Sequence, residues 1–174
     1  NLSGTSAFGR LYFDSGSTYT VTGGVDIEAL YEFYGSGGAT FTSTTGNLIV
    51  RDTFLLSGGA FVHNNGTVKM YGSAMDIYTT SITFYNFNTF ANIVPGGTST
   101  SINIDNDFTI TSGTFNCSNK DIIIKGNYSN SGTFTNNSAN AAAVTIANFY
   151  VYSGGTYNHN AAGSTAAGVV NDFP

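Results

Sequence analysis

Ten acidic residues are the side chains of this sequence that could cleave a glycosidic bond. Enzymes with that activity bring two carboxylates to one position, as acid and base or nucleophile. Here the acids are scattered along the chain: Asp14, Asp26, Glu28, Glu32, Asp52, Asp76, Asp105, Asp107, Asp121 and Asp172. Arg10 and Arg51 are the arginines available to assist them. The scatter favours roles in turns and on strand surfaces, so we expect no enzymatic activity and no catalytic residues.

Asp105, Asn106 and Asp107 place two carboxylates and an amide close together, as a calcium site does. The segment lacks the glycine and the distal glutamate of a calcium-binding loop. Asp and Asn are also natural residues at a kink between strands. We therefore expect no metal site here and no cofactor elsewhere.

His63, His159 and Cys117 are the histidines and the cysteine of the chain, residue types that can bind a metal or act in catalysis. The two histidines occupy near-equivalent places in a repeat, several turns apart, which favours exposed turn residues over a shared metal. Cys117 is the single cysteine, so an intrachain disulfide cannot form. We expect it to be a small, partly buried side chain.

The elements that carry these residues follow a repeat of about 21 residues. A Ser-Gly pair recurs with glycines at positions 16, 37, 58, 113, 132 and 154, which are 21, 21, 55, 19 and 22 residues apart. We interpret the 55-residue interval as two or three turns that have lost the marker. Such a period is too short for a propeller blade and matches one turn of a parallel β-helix.

Apolar residues keep nearly constant offsets from these glycines. Before and after Gly58 they are Leu48, Val50, Phe54, Leu56 and Phe61, and the same offsets from Gly154 give Val144, Ile146, Tyr150, Tyr152 and Tyr157. Alternation within each segment is typical of half-buried strands. The pattern predicts an all-β, right-handed parallel β-helix of about eight turns. It forms one domain over residues 1–174, with an irregular or loop-bearing stretch at about 67–101.

Two internal arrangements follow from the offsets. Residues that occupy the same place in each unit should stack inside the solenoid, and these are Phe54, Phe108, Tyr128 and Tyr150, with one extra residue between Phe108 and its glycine. Asparagines that follow the last aromatic residue of a unit should form a ladder, and these are Asn116, Asn136 and Asn158.

Composition narrows the class of protein. Charged residues make up 9% of the chain, against roughly 25% in an average soluble domain. The net charge is −5 and no cluster of Lys or Arg exists, so we expect no nucleic-acid partner. No apolar run reaches the roughly 18 residues that a membrane-spanning helix needs. Few charges and many Ser, Thr and Asn residues suit an extracellular protein.

Four short segments combine small polar residues with aromatic ones in a similar way. They are residues 66–74 (GTVKMYGSA), 81–87 (SITFYNF), 122–128 (IIIKGNY) and 130–134 (NSGTF). They resemble the repeats of large bacterial extracellular and cell-surface β-solenoid proteins of the adhesin type. The resemblance covers roughly residues 47 to 160. It implies a surface or fibre context and brings no catalytic residues with it.

Three hypotheses for function result. The first is an extracellular structural or adhesive module, including a self-assembling fibre or surface-layer subunit, because neither terminal segment has an obvious cap. Its partners would be other copies or flanking repeats. The second is a carbohydrate-binding module that contacts cell-surface glycan, which an outward row of aromatic residues would favour. The third is a β-helical polysaccharide lyase or hydrolase, which converging acids would favour.

Overall fold

The computed structural model describes residues 5–118, 120–136, 144–151 and 156–159, with side chains as far as Thr135. These residues contain no helix. They form eighteen strands: β1 (Thr5–Phe13), β2 (Thr18–Thr20), β3 (Asp26–Ser36), β4 (Thr40–Thr42), β5 (Asn47–Val50), β6 (Thr53–Ser57), β7 (Ala60–Val62), β8 (Thr67–Met70), β9 (Ala74–Ile77), β10 (Ser81–Phe84), β11 (Asn86–Thr89), β12 (Ser101–Ile104), β13 (Phe108–Ile110), β14 (Thr114–Asn116), β15 (Asp121–Asn130), β16 (Thr133–Asn136), β17 (Val144–Val151) and β18 (Thr156–His159).

The strands stack in parallel to form a β-solenoid, as the repeat predicted. Paired residues are about 21 positions apart, as in Ile27 with Leu48 and Phe33 with Phe54. Residues alternate between buried and partly exposed along strands such as β5, β6 and β8, so these strands turn one row of side chains inward. Six complete turns run from β1 to the first part of β15, and the strands from there to β18 continue the stack, against the eight turns predicted from the length of the whole chain.

Each turn contributes a strand to three faces, which we number in chain order. Face 1 contains the first part of β1 and of β3, then β5, β8, β11, β13 and the last part of β15 and of β17. Face 2 contains the last part of β1 and of β3, then β6 and β9, and later β14, β16 and β18. Face 3 contains β2, β4 and β7, and later β10, β12 and the first part of β15 and of β17.

The sequence repeat slips by one face in the fourth turn, which β8, β9 and β10 form. In the N-terminal half the two strands before a Ser-Gly pair lie on faces 1 and 2, as β5 and β6 do before Gly58. In the C-terminal half they lie on faces 3 and 1, as β12 and β13 do before Gly113. The 55-residue interval therefore corresponds to neither two nor three whole turns. A single residue, Tyr85, separates β10 from β11 where the phase changes.

The slip changes the predicted aromatic stack. Phe54 lies opposite Phe33 and Met75 on face 2, whereas Phe108 lies opposite Phe87 on face 1, so the two do not share one column. Tyr150 pairs with Ser129, and Phe149 takes the place opposite Tyr128. The prediction of one column is confirmed for Phe108 and Tyr128, which pair on face 1. It was wrong for Phe54, because equivalent places in the unit lie on different faces across the slip, and for Tyr150, because the register between β15 and β17 shifts.

Ring contacts nevertheless continue through the slip. Phe54 contacts Phe84 with centroids 5.8 Å apart, Phe84 stacks on Phe87 at 4.5 Å, and Phe87 stacks on Phe108 at 5.5 Å. Phe108 then meets Tyr128 at 5.5 Å. All of these rings are fully buried, so the core is continuous along the described part of the solenoid.

Backbone pairing is interrupted at the slip on two of the three faces, and we call this interruption the seam. On face 1, β8 pairs with β11 over four residues. On face 2, only isolated bridges join β9 to Gly96 and Ile93 to Phe115. On face 3, no strand pairing joins β7 to β10 among the described residues. The stretch expected to be irregular, residues 67–101, thus contains four strands, followed by the segment 90–100 that carries these bridges.

The predicted asparagine ladder does not form in that register. Asn116 pairs with Thr135, and Asn136 pairs with His159, so the three asparagines are not aligned. The side chains of Asn136 and Asn158 lie outside the described residues. A polar ladder exists instead at the corner before face 1, where Asn106 Nδ2 donates to Asn86 Oδ1 at 2.9 Å and Asn47 Nδ2 donates to Asp26 Oδ1 at 2.8 Å.

Several strands of two small sheets share a sequence pattern in which an aromatic residue at an inward position stands between two polar residues; β7 differs, because Ala60 and Val62 flank its Phe61. The two sheets are the three-stranded sheets β2–β4–β7 and β14–β16–β18. The first contains Thr18-Tyr19-Thr20 and Thr40-Phe41-Thr42, and the second contains Thr114-Phe115-Asn116 and Thr133-Phe134-Thr135. Because of the slip, the first sheet lies on face 3 and the second on face 2.

Candidate functional site

The acidic residues lie on different faces, and several of them bond to residues of a neighbouring turn. Asp26 accepts hydrogen bonds from Asn47, and Asp107 accepts two from Asn127, each 3.0 Å long. Glu28 pairs with Arg51 outside face 1, and Glu32 contacts Arg10 and Tyr12 outside face 2. Carboxylates with such partners hold one turn to the next. They do not converge as an acid and base about one substrate position.

Asp105, Asn106 and Asp107 occupy the corner between β12 and β13. Their polar groups point to separate partners in adjacent turns, because Asn106 bonds to Asn86, Asp107 to Asn127, and Asp105 to Lys125. Among the residues that the structure describes, no group of three His, Cys, Asp or Glu side chains could hold a metal ion.

His63 directly follows β7 on face 3, as Tyr85 follows β10 and Asp105 follows β12. Its Nε2 lies 3.4 Å from Asp105 Oδ2, and its ring centroid lies 5.6 Å from that of Tyr85. Lys125 Nζ lies 2.7 Å from the other oxygen of Asp105. The hydrogen bond from Lys125 is the largest cause that lowers the pKa of Asp105; burial opposes it and His63 adds to it. The side chain of His159, the predicted equivalent of His63, lies outside the described residues.

Cys117 and Lys120 lie together at the corner after β14. Cys117 is fully buried, and burial raises the pKa of its thiol to about 12. The prediction placed this cysteine partly inside, and it is completely inside. Lys120 is only 5% exposed, and its Nζ donates to the carbonyl oxygens of Gly97 at 3.2 Å and Ser99 at 3.0 Å. A buried ammonium therefore supports the irregular segment of the seam.

Exposed tyrosines gather on the first two turns at face 2, and we call this group the tyrosine surface: Arg10, Tyr12, Tyr31, Glu32 and Tyr34. Tyr12 is 50% exposed and Tyr31 is 62% exposed. Tyr12 lies 5.1 Å from Tyr34 between ring centroids, and its hydroxyl donates to Glu32. That hydrogen bond is the largest cause that raises the pKa of Tyr12. Aromatic rings beside a carboxylate and a guanidinium can stack on an apolar ring face and bond its hydroxyls.

A second outer group lies at the corner between faces 1 and 2. Arg51 lies over the Tyr71 ring at 4.4 Å, and Tyr71 stacks on Phe90 at 4.3 Å with planes 5° apart. The faces of the Tyr71 ring are covered by these two neighbours. The group therefore stabilises the corner and offers less free ring surface than the tyrosine surface does.

The tyrosine surface and Lys120 were not predicted from the sequence. Most tyrosines were expected inside because aromatic residues dominate the inward offsets. Tyr12 immediately precedes the inward residue Phe13, and Tyr34 immediately follows the inward residue Phe33. Strict alternation along the strands therefore places both tyrosines outside. Lys120 gives no such signal, because its burial depends on the segment 90–100 folding over it.

No helix in the described part of the chain is long and apolar enough to cross a membrane. Comparison with protein-family models, with curated proteins and with solved structures finds no match to this chain.

Proposed function

We propose that this chain is an extracellular structural and adhesive β-solenoid module that stacks end to end with further solenoid turns, supplied by other copies or by flanking repeats. The observation that carries the proposal is the open end at β1 and β2. Strand β1 pairs with β3 along one edge, and its other edge has no partner strand among the described residues. An unpaired edge is a template for another strand.

The core is also open at that end. Tyr19 lies at an inward position of β2, opposite Phe41, yet Tyr19 is 40% exposed while Phe41 is 3% exposed. Phe8 and Leu11 of β1 are only partly buried against the core. A further turn stacked on β1 and β2 would cover these apolar side chains. The extracellular setting is supported by the low charge and by the resemblance to surface repeats.

Stacking at this end is tested by Tyr19→Lys, which places a charge at the open core. We expect the unmodified chain to associate with rising concentration in sedimentation velocity and to form rods in negative-stain images, and the variant to associate less. Tyr78→Lys is the matched control, because Tyr78 is 51% exposed at an outer corner away from the end. A chain that stays monomeric at high concentration, with the amides of β1 protected from hydrogen exchange, would contradict the proposal.

A second candidate function is carbohydrate binding, and the tyrosine surface favours it. Tyr12 and Tyr31 offer accessible rings, while Glu32 and Arg10 offer acceptors and donors for sugar hydroxyls. The surface is open, so it suits an extended polysaccharide.

Binding is tested by titrating the chain with soluble neutral and acidic polysaccharides in calorimetry. Tyr31→Ala should weaken any affinity about two- to tenfold, since one aromatic contact contributes about 0.5–1.5 kcal/mol. Tyr78→Ala should leave it unchanged. Equal losses in both variants, or no binding to any glycan, would remove the tyrosine surface as a sugar site.

We also propose that the chain has no polysaccharide lyase or hydrolase activity. Support comes from the separate inter-turn partners of Asp26, Glu28 and Asp107. Incubation with pectin and alginate should release no new chain ends. Product formation that disappears when a single Asp is replaced by Asn would overturn this proposal.

A further inference from the structure

The seam is held unequally on its three faces. Face 1 crosses it with a continuous ladder, in which Phe87 pairs with both Val68 and Phe108. Face 2 crosses it through the segment 90–100, whose amides and carbonyls bond to both sides, as Gly96 does with Met75 and Ile93 with Thr114. Face 3 has no ladder between β7 and β10 among the described residues. Backbone pairing across the seam is therefore weakest on face 3 and strongest on face 1.

Side chains alone close the seam on face 3. Inside, Phe61 contacts Phe84 with ring centroids 5.6 Å apart. Outside, His63 reaches past Tyr85 to Asp105, so that its Nε2 lies 3.4 Å from Asp105 Oδ2. His63 follows β7, on the N-terminal side of the seam, and Asp105 follows β12, on the C-terminal side. This contact therefore spans the turn that lacks backbone pairing.

Both partners are fixed on their own sides of the seam. His63 Nδ1 accepts a hydrogen bond of 3.0 Å from the Asn65 amide, which leaves the proton of the neutral ring on Nε2, facing Asp105. The Asp105 amide donates to the Phe84 carbonyl at 2.9 Å, and Lys125 holds its carboxylate at 2.7 Å. The two side chains are 21% and 30% exposed, so solvent screens the contact only partly.

We propose that His63 and Asp105 form a latch across the seam, and that the solenoid opens locally on face 3, about the intact ladder of face 1, when the latch is released. Local opening of this kind exposes the core between β7 and β10 without unfolding the remaining turns. The charged and titratable groups that face the latch are Lys125, which bonds to Asp105, and Tyr85, whose ring lies beside His63.

Residue-resolved amide exchange by nuclear magnetic resonance tests the latch in the full chain. His63→Gln and Asp105→Asn should each speed exchange of the protected amides in β7 and β10 by about two- to fivefold, the range expected for a part-exposed ion pair. Amides of β8 and β11 should keep their rates. Asp52→Asn is the matched control, because Asp52 is exposed at the corner between β5 and β6. Lys125→Gln tests the other partner of Asp105 and should change the β7 rates less than His63→Gln does.

Acid provides a second readout that does not depend on substitution. The pKa of Asp105 lies below its ordinary value in the folded chain, so the stabilisation by its partners is present above that ordinary value and is lost as the pH falls through the lowered one. After correction for intrinsic exchange rates, acidification through this window should speed amide exchange in β7 and β10 of the unmodified chain. It should not do so in the Asp105→Asn variant. Unchanged rates at β7 and β10, or one uniform acceleration along the whole chain, would overturn the latch.

Discussion

Phe84 and Phe87 lie three residues apart and stack on each other with centroids 4.5 Å apart and planes 12° from parallel, although one belongs to face 3 and the other to face 1. The single corner residue between their strands, Tyr85, turns both rings into the interior. This stack carries the core through the slip, where backbone pairing is weakest. The interior therefore remains packed even though the repeat changes phase.

Phe84→Ala and Phe108→Ala should each lower the free energy of unfolding by about 3–5 kcal/mol, because each removes a fully buried ring and leaves a cavity. Urea unfolding followed by circular dichroism measures the loss. Phe90→Ala serves as the control and should cost less, since Phe90 stacks on Tyr71 outside the core. A loss under about 1 kcal/mol at Phe108 would mean that its ring faces outward.

Gly58 and Gly113 end equivalent Ser-Gly pairs and both have positive φ angles, of 84° and 77°. Alanine at either position carries the cost of about 1–2 kcal/mol for the left-handed conformation. A Cβ at Gly113 would also come within 2.5 Å of the Ala91 backbone, whereas nothing lies within 4 Å at Gly58. We therefore expect Gly113→Ala to destabilise the chain more than Gly58→Ala in thermal unfolding. Equal losses would show that the backbone at Gly113 moves freely away.

Lys120 should make the free energy of unfolding depend on pH in the alkaline range. Burial lowers the pKa of its ammonium, and Asp76 partly opposes that effect. The unfolded chain then binds this proton more tightly than the folded chain, so stability should rise as the pH increases from the folded value to the ordinary value. We expect the free energy of unfolding of the unmodified chain, relative to that of Lys120→Met, to be higher at pH 10 than at pH 7. A constant difference between the two proteins would contradict this expectation.

Cys117 should be chemically silent in the folded chain. Desolvation by burial raises the pKa of its thiol to about 12, so the reactive thiolate is scarce at pH 8. Iodoacetamide should modify it only through unfolding, and modification should become rapid in denaturant. The mass increase over time measures both rates. Modification of the native chain at the rate of a free cysteine would show that the corner after β14 opens readily.

Alternation and the 21-residue period were enough to predict the solenoid, because each residue pair such as Leu48 and Val50 must bury its apolar row against the next turn. The same offsets could not reveal the slip. Phe54 and Phe108 occupy equivalent places in their sequence units, and only the pairing of Phe87 with both Val68 and Phe108 assigns them to different faces. The latch escaped prediction for a related reason, since His63 and Asp105 become neighbours only after the phase has changed.

The slip determines on which faces the threonines of the two small sheets, β2–β4–β7 and β14–β16–β18, lie. In a solenoid with unbroken phase, both would lie on one side and act as a single longer patch. Here the first lies on face 3 and the second on face 2. A partner that recognised these hydroxyl groups would therefore have to approach the solenoid from two sides to contact both sheets.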